Sequence, residues 1–432
     1  MSFREPQDGA VQESSGAPAT PVAETGRERP GLDPLQEPGR QQRPDAETGA
    51  RRVLREILSG SALLSVLAVL VSLVIGGVLI AVTNPQVIAA SGYFFARPGD
   101  TVVAVLNAVG GAYGSLFRGG LIDFSAYGFW AGIQPLLRSL GFATPLIAAG
   151  LGIAIGFRTG LFNIGGQGQI LIGGALAGWV GFTLPLPGAL HLIAALVGGL
   201  LGGALWALIP GVLKARTGAH EVIVTIMLNY IAFYLVDFLL GTPVLQAPGS
   251  NSPISAPTAP SAQLPQLFGS PVNLGFPLVV LLVLAAAWLL DRSGLGFKLR
   301  AVGENPSAAR TAGIDVRRMT IAAMVISGVF VGFAGAYQVL GQTTSGFSNA
   351  FDAGIGFNAI TVALLGRSRP WGVFWAGLLF GVFQNGGYTM QAANNVDLNV
   401  VSVVQSLIVL FIAAPPLVRA IFRLPAPKGA RA

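Results

Sequence analysis

From residue 61 onward the chain is a succession of long apolar runs separated by short polar segments. The first, Ser61 to Val82, holds 22 residues without a charge. A helix of that length reaches about 33 Å, enough to cross a hydrocarbon layer of roughly 30 Å. Similar runs at 143–158, 166–184, 189–210, 221–240, 276–291, 319–341, 354–366, 371–389 and 400–418 bring the expected spans to ten. Several are short, as broken or re-entrant segments lining a cavity would be. The segment 101–137, with Arg118, Asp123 and the neighbouring Arg138, reads instead as an interfacial or extracytoplasmic element.

Residues 1–50 have a different texture. They are rich in Pro, Gly, Glu, Gln and Arg, and Phe3 is their sole aromatic residue. Such a stretch cannot bury enough apolar area to order itself, and a disordered tail is expected. It does not read as a signal peptide, because the first apolar run is too long for one. The expected membrane-spanning body is 51–426, with halves at about 55–240 and 276–422 joined by a Pro/Ser-rich linker at 241–275.

Charge placement orients the spans. Cytoplasmic loops carry an excess of Lys and Arg. Arg51, Arg52 and Arg55 precede the first run, Lys214 and Arg216 follow the fourth, and Arg292, Lys298, Arg300, Arg310, Arg317 and Arg318 fill a later loop. Arg367 and Arg369 mark another, and Arg419, Arg423, Lys428 and Arg431 close the chain. The alternate loops 241–275, 342–353 and 390–399 contain neither Lys nor Arg. Both termini are therefore expected in the cytoplasm. Five spans in each half is an odd number, so the second half enters from the other side, the parity of an inverted repeat. Gly160-Leu-Phe-Asn-Ile-Gly165 and Gly354-Ile-Gly-Phe-Asn-Ala359 are faintly alike at corresponding places. The fold expected is an all-α polytopic membrane protein of about ten helices arranged as 5+5.

Composition agrees. Hydrophobic residues make up 52% and charged residues 10% of the chain, against about 25% charged in soluble domains. The net charge of +7 is mostly this orientation signal, so nucleic acid is not an expected partner. With no cysteine and two histidines, His191 and His220, thiol chemistry is excluded and a histidine-rich metal site is implausible. The phosphate-loop pattern G-x-x-x-x-G-K followed by Ser or Thr is absent, and His220-Glu221 lacks the second histidine of a zinc-protease helix. No enzymatic constellation is legible.

Three segments carry the remaining information. In Arg158-Thr-Gly-Leu-Phe-Asn-Ile-Gly-Gly-Gln-Gly-Gln169, the amides Asn163, Gln167 and Gln169 sit among glycines between apolar runs. They suit a tight turn, or contact with a neutral polar solute. Further on, Thr225 and Asn229 share one face of a helix at i,i+4. Asn229 reads equally as interhelical glue or as pathway, and Glu221 as an acid stabilised in a first helical turn. In the third segment Asn305 is a suitable N-cap, Pro306 suits the first helical position, Ser307 to Ala312 would form a short helix, and Gly313 would stop it. That unit is either an ordinary structured loop or a knob for a partner's groove. In the second half Phe357, Asn358, Gln384 and Asn385 could line a solute path or form packing seams.

Taken together these phrases resemble the permease family of ABC importers that serves ribose, branched-chain amino acids and nucleosides, and its nucleoside and simple-sugar branch most of all. The likeness rests on Gly160–Gln169, Glu221–Ile231, Arg300–Gly313 and Gly356–Gly366, in order and spacing from about residue 55 to 420. It implies a non-catalytic subunit in a bacterial plasma membrane, paired with a second homologous permease and fed by an extracytoplasmic solute-binding protein. ABC ATPase subunits would hold ATP-Mg, and this chain would bind no cofactor itself. The loop with Glu304, Asn305, Pro306, Ser307, Ala308, Ala309, Arg310 and Gly313 matches the family's coupling helix, which docks on the ATPase. The competing class is an ion-coupled secondary transporter, which usually places acids within its spans. The candidates there are chiefly Asp237 and Asp291, both near span ends.

Overall fold

The computed structural model describes residues 61–267 and 270–423. The tail expected over 1–50, with Arg51, Arg52, Arg55, Lys428 and Arg431, lies outside the described residues. Contacts divide the chain into Met1–Arg55 and Glu56–Ala432, and every described residue belongs to the second unit. Among the described residues the structure is helical, with two isolated bridges and no strand. In chain order the helices are α1 (Ser61–Thr83), α2 (Pro85–Ser91), α3 (Pro98–Gly120), α4 (Phe129–Arg158), α5 (Gly166–Thr183), α6 (Gly188–Thr217) and α7 (Glu221–Leu240). They continue with α8 (Gly275–Arg292), α9 (Gly294–Glu304), α10 (Pro306–Thr311), α11 (Val316–Tyr337), α12 (Ile355–Leu365), α13 (Pro370–Asn394), α14 (Leu398–Ala413) and α15 (Pro415–Ile421). A π turn, Gln338–Gln342, extends α11.

Seven of these, α1, α3, α4, α6, α7, α8 and α11 with its π turn, are long and apolar enough to cross a membrane. α12 and α14 are shorter apolar helices. α5 and α13 have the length, 18 and 25 residues, but carry Gly, Gln and Asn among their apolar positions.

The described structure corrects the expected boundaries in three places. First, 101–137 is no single element: α3 is a 23-residue helix, and α4 begins at Phe129, so residues 129–142 belong to a 30-residue helix. The charges that seemed to interrupt the segment sit at its joints. Arg118 is in the last turn of α3, where a cation favours the helix carbonyls. Asp123 lies in the following turn, where the Ser125 hydroxyl and amide hold its carboxyl below the usual carboxylate range. Second, α6 runs through Pro210 to Thr217 and stops at Gly218, whose φ of 72° is the left-handed conformation that glycine tolerates. Third, the run 400–418 breaks at Ala414, because Pro415 and Pro416 offer no amide to continue α14.

α4 forms the centre. Every residue from Ala143 to Gly156 is buried, between α11, α12 and α13. α5, α6 and α11 pack through small residues: a Cβ on Gly203 would collide with the Gly328 carbonyl, and one on Gly332 with the Gly199 carbonyl. Both helices thus carry the Gly-x-x-x-Gly spacing that lets backbones touch in an apolar medium. α3 meets α13 at Val382, Gly386, Thr389 and Asn394, the half of α13 farthest from Arg369.

Two ends of this body differ sharply. At one, basic helix ends converge: the Arg158 Nε donates to the Ser368 carbonyl at 3.0 Å, Gly303 packs on Arg158, and Lys214 pairs with Glu221 at 2.8 Å. At the other, loops without Lys or Arg interlock. Ser255 N–H donates to Phe347 O, Thr258 to Thr344, Ala259 to Gly181 and Leu264 to Leu340, at 2.8–3.0 Å. His191, buried, bridges Ser261 and the Val180 carbonyl there.

Candidate solute cavity and coupling surface

Two helices start inside the protein. After α4 ends at the basic end, residues 159–165 turn back as irregular chain and α5 begins at Gly166. After α11 and its π turn, residues 343–354 do the same from the other direction and α12 begins at Ile355. The two starts abut. A Cβ on Gly356 would overlap the Gln167 backbone, and one on Gly166 would sit 3.0 Å from the Gly356 carbonyl. The Phe-Asn phrases noted in the sequence therefore flank one junction.

Beside that junction is a cavity of about 320 Å³ lined by Gln167, Ile226, Asn229, Tyr230, Phe233, Tyr234 and Phe357. Its composition combines aromatic faces, which stack on planar rings, with carboxamides, which donate and accept hydrogen bonds. Tyr230, Tyr234 and Phe357 remain 61%, 65% and 50% exposed, so this chain leaves part of the wall unbuilt.

The expected pathway residues separate on this map. Gln167, Asn229 and Phe357 come together in the cavity. Asn163 and Gln169 do not reach it. Asn163 accepts from the Gly165 amide at 2.9 Å, donates to Ser327 Oγ at 2.9 Å, and pairs with Gln169 across 3.2–3.3 Å. Both are buried and shape the turn. Asn385 donates to the Gly119 and Pro135 carbonyls at 2.8 and 2.9 Å, tying α13 to α3 and α4. Gln384 and Asn358 are half-buried and outside the lining. Asn229 is bonded across the helix interface, its Oδ1 accepting from Gly168 at 2.9 Å and its Nδ2 donating to Ile164 O at 3.0 Å, and it also lines the cavity.

Sequence reasoning missed Ile226, Tyr230, Phe233 and Tyr234. Their positions, with Asn229, run i, i+3, i+4, i+7, i+8, one stripe of α7, and that spacing was the available signal. It also missed Asp352, an acid in an expected external loop. Asp352 is 4% exposed, and the Gln167 side chain and the Gly354 amide face its carboxylate.

At the basic end the expected short helix is present as α10. Asn305 Oδ1 accepts from Ser307 and Ala308 N–H at 3.0 Å, Pro306 opens the helix, and Gly313 ends it at φ 79°. Glu304, Asn305, Pro306, Ser307, Ala308, Arg310 and Gly313 are exposed, whereas Ala309 is buried at 4% and accepts from Ile314 N–H. This knob is mechanically close to the cavity. Gly303, one residue before Glu304, packs on Arg158 and Gly160, and Leu161 packs with Leu299, Ala323 and Met324. Residues 160–165 then lead directly to Gln167.

Apolar helices around a central glycine seam, a polar-aromatic cavity at two broken helices and an exposed capped knob define a multi-pass membrane permease. Residues 135–413 match the family described as branched-chain amino acid transport system / permease component, and the chain belongs to this family of ABC-importer permeases. It is similar to the guanosine ABC transporter permease protein NupP of Bacillus subtilis, 36% identical over 335 residues, covering 76% of this chain and 96% of the relative. A glucose ABC transporter permease protein of Haloferax volcanii is 33% identical over 335 residues, covering 74% and 87%. The nucleoside permease NupB of Lactococcus lactis is 33% identical over 300 residues, covering 67% and 81%. No solved structure was found to match.

Proposed function

We propose that this chain is the membrane-spanning subunit of an ATP-driven importer that moves a nucleoside, or a related sugar-bearing solute, into a bacterial cell across its plasma membrane. The observation that carries the proposal is the cavity where Gln167 and Asn229 meet Tyr230, Tyr234 and Phe357. Planar bases stack on aromatic rings, and ribose hydroxyls and base edges pair with carboxamides. The names of the relatives, guanosine, nucleoside and glucose permeases, support the same class of solute.

The ten-span, 5+5 reading is α1, α4, α5, α6 and α7 against α8, α11, α12, α13 and α14, with α3 as an extracytoplasmic or interfacial element and both termini inside. α12 then starts near the midplane, since its eleven residues cover about 16 Å, half the hydrocarbon layer, and α5 runs from the same junction toward the opposite side. Inverted repeats put solute sites at such broken helices. A second, homologous permease supplies the missing cavity wall. The interlocked loops 241–275 and 343–353, which contain neither Lys nor Arg, receive a solute-binding protein.

ABC ATPase subunits, holding ATP-Mg, dock on α10; this chain binds no cofactor and hydrolyses nothing. Closure of the ATPase pair pushes α10, and Gly303 passes the displacement through Arg158 and Gly160 to residues 161–165. Those residues carry the Gln167 side of the cavity, so access switches across the membrane. The test is uptake of labelled guanosine by the complex in proteoliposomes. Uptake should require ATP and survive a proton ionophore; ionophore sensitivity with ATP independence would reverse the assignment to an ion-coupled carrier.

A further inference from the structure

The junction of the two broken helices raises an electrostatic problem. A helix N-terminus carries unpaired N–H groups and about half a positive charge, and it is a ready anion site. Here two of them converge, α5 at Gly166 and α12 at Ile355, with backbones touching at Gly166, Gln167 and Gly356. Left alone, such a pair would attract a phosphate group. The acid next to it is Asp352. It is more than nine-tenths buried, its Oδ2 has no hydrogen-bond partner, and no Lys or Arg pairs with it among the described residues. The Gly354 amide, just ahead of α12, and the Gln167 side chain, from the first turn of α5, both face the carboxylate. One side chain thus faces both helix starts, including the carboxamide of Gln167 that lines the cavity.

Resting on the reading of the cavity as a solute site, we propose that Asp352 sets its charge selectivity: the carboxylate offsets the two converging helix ends and positions Gln167, so that the cavity takes neutral solutes and rejects phosphorylated ones. Nucleosides and free sugars would pass where nucleoside monophosphates and sugar phosphates are turned away. Asp352 acts as a positioning and selectivity residue, since Gln167 lies between it and the solute.

The experiment uses the purified permease–ATPase complex without binding protein, so that the cavity alone is read. Binding of guanosine, guanosine 5′-monophosphate and inorganic phosphate is measured for the native chain, Asp352→Asn, Asp352→Glu and Gln167→Ala. The expected result is at least a tenfold rise in the ratio of monophosphate to nucleoside binding for Asp352→Asn, with measurable inorganic phosphate binding and restoration by Asp352→Glu. Gln167→Ala should weaken guanosine without changing the preference against phosphate. An Asp352→Asn complex that assembles normally, keeps its basal ATPase rate and discriminates as the native one does would overturn the proposal. If the Asn variant does not assemble, Asp352→Glu and native complex at raised phosphate concentration carry the test: phosphate binding to the native cavity overturns it. Should the native complex bind neither nucleoside nor sugar, the solute reading fails, while the inorganic phosphate arm still decides the role of Asp352.

Discussion

Gly303 of α9 is packed directly onto Arg158, the last residue of α4, with the Arg158 carbonyl occupying the space that any side chain at 303 would need. The Arg158 side chain in turn donates to Ser368, just past the end of α12. Both broken helices are therefore tied to the base of the exposed knob. Gly303→Ala tests this contact. In an ordinary helix interior alanine would be the better residue by about 1 kcal/mol; here the clash is with backbone and must move α9 away from α4. The expected outcome is at least a tenfold loss of solute-stimulated ATPase activity in a complex that still assembles, measured beside basal hydrolysis. An unchanged stimulation ratio would show that force does not pass through this contact.

Neighbouring alanines in α10 should behave oppositely. Ala308 is exposed and Ala309 is buried. Ala308→Glu should abolish capture of the ATPase subunit while leaving the melting temperature of the isolated permease within about 2 °C, since exposed substitutions change stability by about 0.5 kcal/mol or less. Ala309→Glu should lower the melting temperature itself, because it buries an unpaired charge. Pull-down and thermal unfolding of the two variants check both halves. Loss of assembly with Ala309→Glu alone would move the docking face off this helix.

Tyr234 and Phe357 line the cavity from different helices, α7 and α12. Base stacking on an aromatic side chain is worth about 1–3 kcal/mol, roughly a 5- to 150-fold change in affinity. Tyr234→Ala and Phe357→Ala should each weaken guanosine binding within that range while leaving ATPase assembly intact. Equilibrium binding to the complex measures it. Free ribose, which cannot stack, should lose far less, and equal losses for both ligands would point away from base recognition.

How much of this was legible in the sequence depends on how local each feature is. The Asn305 cap, Pro306 and the Gly313 stop were readable because each acts within a few residues of itself. The membrane class followed from run length alone. Asn229 and Asn385, by contrast, carry the same signature, an amide in an apolar helix, and the structure uses them differently: one lines the cavity and the other is spent on the Gly119 and Pro135 carbonyls. Only the partner across the helix interface decides that. Asp352 was harder still. Its burial depends on residues 343–354 folding back into the body, held in part by Gln338 Nε2 donating to Phe351 O at 3.0 Å. Nothing in the local pattern distinguishes that from an external loop.

Asn229 gives the sharpest test of glue against pathway, because its side chain bonds across the helix interface and also lines the cavity. Its Oδ1 and Nδ2 are each engaged by the start of α5, at Gly168 and Ile164. Replacing it with alanine strands a buried amide and a buried carbonyl, which costs about 1–3 kcal/mol for each group left unpaired. The expected outcome for Asn229→Ala is a melting temperature lowered by several degrees together with weaker guanosine binding, because the α5 start that carries Gln167 loses its anchor. Tyr234→Ala should weaken binding without the stability loss, so the pair of variants separates support from contact. Asn229→Asp keeps the acceptor for Gly168 and loses the donor to Ile164. It should also add an acid to the cavity lining and so depress monophosphate binding further. Binding and thermal unfolding measured on the three variants decide the matter: if Asn229→Ala weakens binding with no stability change, the amide contacts solute directly and its bonds to α5 contribute nothing measurable.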